Sequence, residues 1–304
     1  MSIYLPIAEM PVNGLLILLL SGLVGFVSGL TGVGGGFIIT PLLLFLGIPP
    51  AAAVATQASQ IAATSASGLM AQTRRASVDW RMGLLLTIGG VIGSTLGVSL
   101  FSSLLAAGQI DIFINLLFVV FLGGIGSLML YESFTAIRGG AAQARSPLTR
   151  ASRTIAHRLP FLMRFPRSGL YISVIPPLAL GVGVGVLAAI MGIGGAFILA
   201  PAMIYLLRMP TNVVVGTMQL QVFVTAAVVT ILQASITQKV DILLAALLIT
   251  GGVVGAQFGA RFGARLPAEQ LRAVLAVIVL ITGMKLLWDM VAPPDELYLI
   301  TGVL

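Results

Sequence analysis

The chain has 304 residues, of which 58% are hydrophobic and 8% charged, with a mean hydropathy of +1.11 and a formal net charge of +7. Soluble domains carry roughly 25% charged residues, so a water-soluble globule is excluded, and the recurring apolar runs define a polytopic membrane protein. The chain contains no cysteine, which removes disulfides, thiolate metal sites and thiol nucleophiles, and its positive charge reads as membrane topology rather than nucleic-acid binding.

The first apolar segment is expected at 14–30, and it is not read as a removable signal because no Lys or Arg occurs in 1–73. The glycine stretch Thr31-Gly32-Val33-Gly34-Gly35-Gly36 follows, then a short segment at 37–46 and the punctuation Pro49-Pro50. A small-residue segment at 51–72 carries Thr56, Gln57, Ser59 and Gln60. Arg74, Arg75, Asp79 and Arg81 form a charged loop before segments at 83–105 and 112–131. A basic stretch, 138–168, then divides the chain into a first repeat (1–137), a linker and a second repeat (169–304).

The second half repeats the order, with segments at 174–190, 197–207, 213–232, 242–262 and 273–288. Met191-Gly192-Ile193-Gly194-Gly195-Ala196-Phe197 matches the first glycine stretch at an offset of 160 (192 − 32). Val54-Ala55-Thr56 and Gln60 match Val215-Gly216-Thr217 and Gln221 at 161 (217 − 56). Val78-Asp79 and Gly89-Gly90 match Val240-Asp241 and Gly251-Gly252 at 162 (241 − 79).

Seven of the 16 basic residues lie in 138–168, which contains no Asp or Glu. That stretch should be cytoplasmic. Counting segments from it puts Arg74, Arg75, Arg81, Arg208, Arg261, Arg265 and Arg272 inside and both termini outside. The first half then carries its charges between segments three and four, the second between four and five, so the repeats are expected to be inverted. The arms after the glycines are about 11–14 residues, short for a full span at 1.5 Å per residue. The expected fold is an all-α polytopic membrane protein of two inverted repeats of about five helical segments. Each repeat holds a broken, re-entrant hairpin tipped by glycines, with the binding site near the midplane.

Glycines free the backbone and let a ligand approach it, and a helix N-terminus is a ready anion site. The expected substrate site therefore combines Thr31, Gly32, Gly34 and Gly35 with Gly192, Gly194 and Gly195 at the tips. The third segments add Thr56, Gln57 and Gln60 from one half and Thr217, Gln219 and Gln221 from the other. The bland alternative for these polar residues is interhelical packing. Glycines spaced by four in the fourth segments, Gly89/Gly93/Gly97 and Gly251/Gly255/Gly259/Gly263, read as close helix contacts. Lys285 and Asp289 are expected to pair, and no matched pair of midplane carboxylates suggests a proton relay. The basic stretch suits a helix on anionic lipid headgroups. No cofactor or metal is expected, and neither a phosphate loop nor a hydrolase motif is present.

Gly25, Gly29, the run from Thr31 to Gly36, Pro41, Ala55-Thr56, Gly90 and Gly93-Ser94-Thr95-Leu96-Gly97 resemble the bacterial sulfite exporter TauE/SafE family over nearly the whole chain. The resemblance implies a non-enzymatic inner-membrane exporter of sulfite, sulfoacetate and related sulfur-containing organic anions. The chain departs from the pattern in its arginine-rich linker and in Ala196, which stands where the first repeat has Gly36. Two other functions fit the same residues: a passive anion conduit, and a membrane scaffold that recruits a partner through its linker.

Overall fold

The computed structural model describes residues 2–31, 35–137, 161–263 and 268–291. Each half opens with a short antiparallel hairpin: β1 (Ser2–Leu5) with β2 (Met10–Asn13), and β3 (Leu162–Phe165) with β4 (Leu170–Ser173). These hairpins correct the all-helical expectation. β3 and β4 also straddle the boundary placed at 168/169, so the end of the supposed linker is folded with the second half. The hairpins were hidden because their strands are four residues long, one contains Pro11, and their turns depend on positive φ at Glu9 and Gly169.

The first half continues as α1 (Gly14–Thr31), α2 (Gly36–Phe45), α3 (Pro50–Arg74), α4 (Trp80–Ala106) and α5 (Ile110–Ile137). The second gives α6 (Ile175–Met191), α7 (Ala196–Tyr205), α8 (Thr211–Leu232), a π-turn (Gln233–Thr237), α9 (Ile242–Gly263) and α10 (Ala268–Val291). Local chemistry sets the starts. Pro50 opens α3 and Pro176-Pro177 fall in the first turn of α6, where a missing N–H costs nothing. Asp79 caps α4 by accepting from Met82 N at 3.2 Å. The helix α4, at 27 residues and about 40 Å, is one of three described helices long and apolar enough to cross a membrane; α8 with its π-turn and α9 are the others.

The halves exchange partners reciprocally. α1 packs on α9 and its counterpart α6 on α4, while α3 crosses α8 and α5 pairs with α10. That is the contact pattern of an isologous pair. The glycine columns make these crossings: Gly251, Gly255 and Gly259 lie against the backbone of Leu18, Gly22 and Phe26, and Gly89, Gly93 and Gly97 against that of Leu178, Val182 and Val186. Any Cβ there would drive the helices apart. On the opposite side of α4, Leu84, Ile88, Ile92, Leu96 and Leu100 are exposed at every fourth position, an apolar stripe suited to lipid.

Candidate functional site

The short helices α2 and α7 bring the two glycine tips together at the centre, where the Phe37 and Phe197 rings lie 5.3 Å apart. Gly32 and Gly34 lie outside the described residues, as does the side chain of Thr31. Gly35 is placed, with φ −85°, as the cap of α2. At the second tip Gly192, Gly194 and Gly195 all hold left-handed φ of 66–69°, a region costly for residues with a Cβ. Ile61 stands between the tips. A Cβ built on Gly36 would meet Ile61 Cδ1 at 2.6 Å, and one on Gly194 would meet Ile61 Cγ2 at 2.6 Å and Val222 Cγ1 at 3.2 Å. Ile61 and Val222 are matched residues of the two halves (222 − 61 = 161); both tips press on Ile61, and the second also on Val222.

The polar residues of α3 and α8 divide by use. Thr56 Oγ1 accepts from Asp241 N at 3.0 Å, and Thr217 Oγ1 accepts from Asp79 N at 3.0 Å. Each threonine therefore braces the other half's loop. Gln57 donates to Gly36 O and accepts from Thr40 Oγ1, fixing the first turn of α2. Gln60 donates to Ser21 Oγ at 3.1 Å, Gln221 donates to Thr225 Oγ1 at 3.1 Å, and both Oε1 atoms are buried without a partner. Their amides lie against Gly252 and Gly90, again reciprocally. Gln219 is elsewhere. It packs over Gly68 with its own Oε1 buried and unpartnered.

Gln219 lies at the edge of a cavity of about 740 Å³ between the ends of α1, α3 and α9. Ser28, Gly29 and Leu30 form one wall, Thr64, Ser65 and Gly68 another, and Arg74, Arg75 and Arg261 join the lining. Among the described residues no carboxylate faces it. A neighbouring recess of about 700 Å³ shares Gln72, Arg75 and Val215 and adds Arg167. Ser65 and Gln219 lie one helical turn from Ile61 and Val222, and Leu30 in the cavity wall directly precedes the first glycine stretch.

The sulfite exporter TauE/SafE family model matches residues 17–286. The chain belongs to this family. A probable membrane transporter protein of Xylella fastidiosa is 30% identical over 271 residues, covering 88% of this chain and 92% of that protein. The probable membrane transporter proteins YjnA and YunE of Bacillus subtilis are 28% and 27% identical, covering 89% and 90% of this chain and 98% and 97% of their own. No solved structure matches. The chain is thus a membrane transporter of the TauE/SafE family.

In this transporter the matched pair Asp79 and Asp241, given no role by the sequence, is structural. Asp79 and Asp241 are each 1% exposed. Asp79 accepts from Met82 N, from Ser168 N at 3.0 Å and from Ser168 Oγ at 2.6 Å; Asp241 accepts from Leu243 N, Leu244 N and Ile7 N at 3.0–3.1 Å. Each carboxylate thereby ties a helix start to the hairpin that opens one half. The repeated Val-Asp dipeptide was the available signal.

Proposed function

We propose that this transporter exports a small anion, sulfite or an organosulfonate or related sulfur-containing acid, across the bacterial inner membrane by alternating access about a midplane site. The cavity carries this reading, with three arginines and no described carboxylate. Such a mouth concentrates anions and repels cations. The same cavity supports inverted repeats, because Arg74 and Arg75 follow the third segment of the first half while Arg261 ends the fourth of the second. Those positions share one face only if the halves are oppositely oriented, with 138–168 cytoplasmic against anionic headgroups and both termini outside. The arms α2 and α7, ten residues each, rise about 15 Å, half the hydrocarbon core of about 30 Å, which supports re-entrant hairpins.

On this reading the conformation is open to the cytoplasm, and the anion moves from the cavity toward the tips beside Ile61 and Val222. Gln60 and Gln221 are contacts for the passing substrate. Rotating either amide turns its N–H toward the unpartnered place its Oε1 now occupies, and hydrogen bonds to an ionised ligand contribute roughly 1.5–3 kcal/mol each. Binding by such bonds without a fixed countercharge is weak, on the order of 10 μM to 1 mM.

The test is flux into proteoliposomes holding purified protein, with sulfite, organosulfonates, sulfate, carboxylates and halides. Saturable flux of sulfite or a sulfonate, accelerated by substrate on the opposite side, is expected. Replacing Arg74, Arg75 and Arg261 together with Gln should raise KM about two- to fivefold at low salt and less at high salt. Non-saturating flux assigns a passive conduit instead. No flux of any anion, with function lost on deleting 138–168, assigns a scaffold.

A further inference from the structure

The cavity has a counterpart on the other side of the α3–α8 crossing, and that counterpart is shut. Ala58, Val98, Ala189 and Val229 form a separate apolar cluster, each 0–2% exposed. By the offsets of the repeat they match Gln219 (219 − 58 = 161), Ala260 (260 − 98 = 162), Gly29 (189 − 29 = 160) and Gly68 (229 − 68 = 161). All four of those residues line the open cavity. The same four places of the fold therefore line an open cavity on one side and form a closed apolar cluster on the other.

One side chain bridges the closed side. Gln233, fully buried where α8 passes into the π-turn, donates from Nε2 to Ala189 O at 3.3 Å, and its Oε1 accepts from Thr237 Oγ1 at 2.7 Å. Its match is Gln72 (233 − 72 = 161). The Gln72 Oε1 is held in the same way, accepting from Ser77 Oγ at 2.8 Å, but its Nε2 makes no hydrogen bond among the described residues. Gln72 lines the cavity together with Gly29, the match of Ala189. The sequence from Gln233 to Asp241 is one residue longer than that from Gln72 to Asp79 (8 against 7). In the longer segment the hydroxyl comes from Thr237, four residues after Gln233 within the π-turn, and in the shorter from Ser77, five residues after Gln72.

We propose that Gln72 and Gln233 are a pair of alternately engaged latches. Gln233 fastens α8 to α6 and holds the far side shut in this conformation. In the opposite one Gln233 lets go, and Gln72 donates to the carbonyl oxygen of Gly29, fastening α3 to α1 and closing the cavity. The proposal rests on the alternating-access reading above but not on the identity of the anion. Both glutamines are positioning residues, since each acts on helix spacing and not on the substrate.

The absence of native cysteine makes the test direct. In proteoliposomes under mild oxidant, Ala189→Cys with Gln233→Cys is expected to cross-link at once. Ser28→Cys, an isosteric change beside Gly29 in the same cavity wall, with Gln72→Cys is expected to cross-link slowly, as the opposite state is sampled and trapped. Adding Gln233→Leu to the second pair should accelerate its cross-linking about fivefold, the population shift that one net hydrogen bond supplies. Failure of the first pair in folded protein overturns the latch, and so does a second-pair rate that Gln233→Leu leaves unchanged. If the cross-links follow this pattern while no anion is carried, the latch stands and the anion-transport reading falls.

Discussion

At the first glycine tip, Gln57 and Thr40 commit their polar atoms to Gly36, whereas Met218 and Ala200 occupy the matched places at the second (218 − 57 = 161; 200 − 40 = 160). The second tip instead holds three glycines at left-handed φ, while Gly35 at the first has an ordinary negative φ. A broken helix leaves N–H and C=O groups bare in an apolar setting. Side chains hold the backbone at Gly36, whereas Gly195 takes a left-handed shape that its match Gly35 does not. The halves have kept a common path while diverging in what holds it, so matched substitutions should have unequal effects.

The largest difference is expected from Gly195→Val set against its match, Gly35→Val (195 − 35 = 160). At 195 the new side chain must adopt a left-handed backbone, costing about 1–2 kcal/mol, and also displace Val184, adding about 1–3 kcal/mol. At 35 only the crowding against Val24 and Ser28 applies. Thermal unfolding in detergent should show the first variant far more damaged, with little folded protein and no transport. Equal losses would mean that the left-handed backbone carries no cost here.

Next in size is the polar brace itself. Gln57→Met leaves the Thr40 hydroxyl without the amide in a buried site, costing about 1–3 kcal/mol. Adding Thr40→Ala copies the apolar solution of the second tip, so the double variant should cost about 1 kcal/mol less than the sum of the single ones. Strict additivity in unfolding measurements would separate the two residues energetically.

A smaller effect compares the hairpins. Ser168 donates both its N–H and its hydroxyl to Asp79, but Ala8 stands at the matched place in the first hairpin (168 − 8 = 160), and only the Ile7 N–H reaches Asp241 from there. Ser168→Ala makes the second hairpin like the first and should cost about 1.5 kcal/mol, the worth of a hydrogen bond to a charged acceptor. Ala8→Ser should recover less, because nothing in the structure aims a hydroxyl there at Asp241. A matching loss and gain in unfolding free energy would erase the distinction.

The segment order, the duplication and the family were legible because they rest on periodic apolar runs and on glycines at fixed spacing. The helix ends were not. α4 begins at Trp80 rather than 83 because Asp79 caps it, and α5 runs on to Ile137 because a helix need not stop where its apolar stretch does. Of the expected contact residues, Thr56, Thr217 and Gln57 have their polar atoms committed inside the fold. Sequence could place them on one helical face but could not see Asp79, Asp241 and Gly36 arriving from other elements. Gln72 and Gln233 went unremarked because a glutamine near a helix end looks ordinary until its counterpart is found bonded.

The smallest expected effect concerns how α2 is held from outside. Lys285 pairs with Asp289 at 3.0 Å, and its Nζ also stands 3.9 Å from the centroid of the Phe45 ring at the end of α2. At the matched place on α7 is Tyr205, and the sequence of α5, the counterpart of α10, contains no Lys or Arg. Lys285 thus places a cation over the aromatic end of the first arm, and no residue of α5 can supply the matching one. The ion pair is about half exposed, at 54% and 47%, so water screens it and it contributes only about 0.3–0.5 kcal/mol; an exposed cation–π contact adds about 0.5–1 kcal/mol. Asp289→Asn should barely move the unfolding temperature, whereas Lys285→Met should lower it slightly and loosen α2 alone. Hydrogen exchange resolves the two arms: Lys285→Met should raise exchange in 36–45 and leave 196–205 unchanged. Equal exchange in both arms would show that α10 steadies the whole molecule and that the asymmetry at Phe45 has no local consequence.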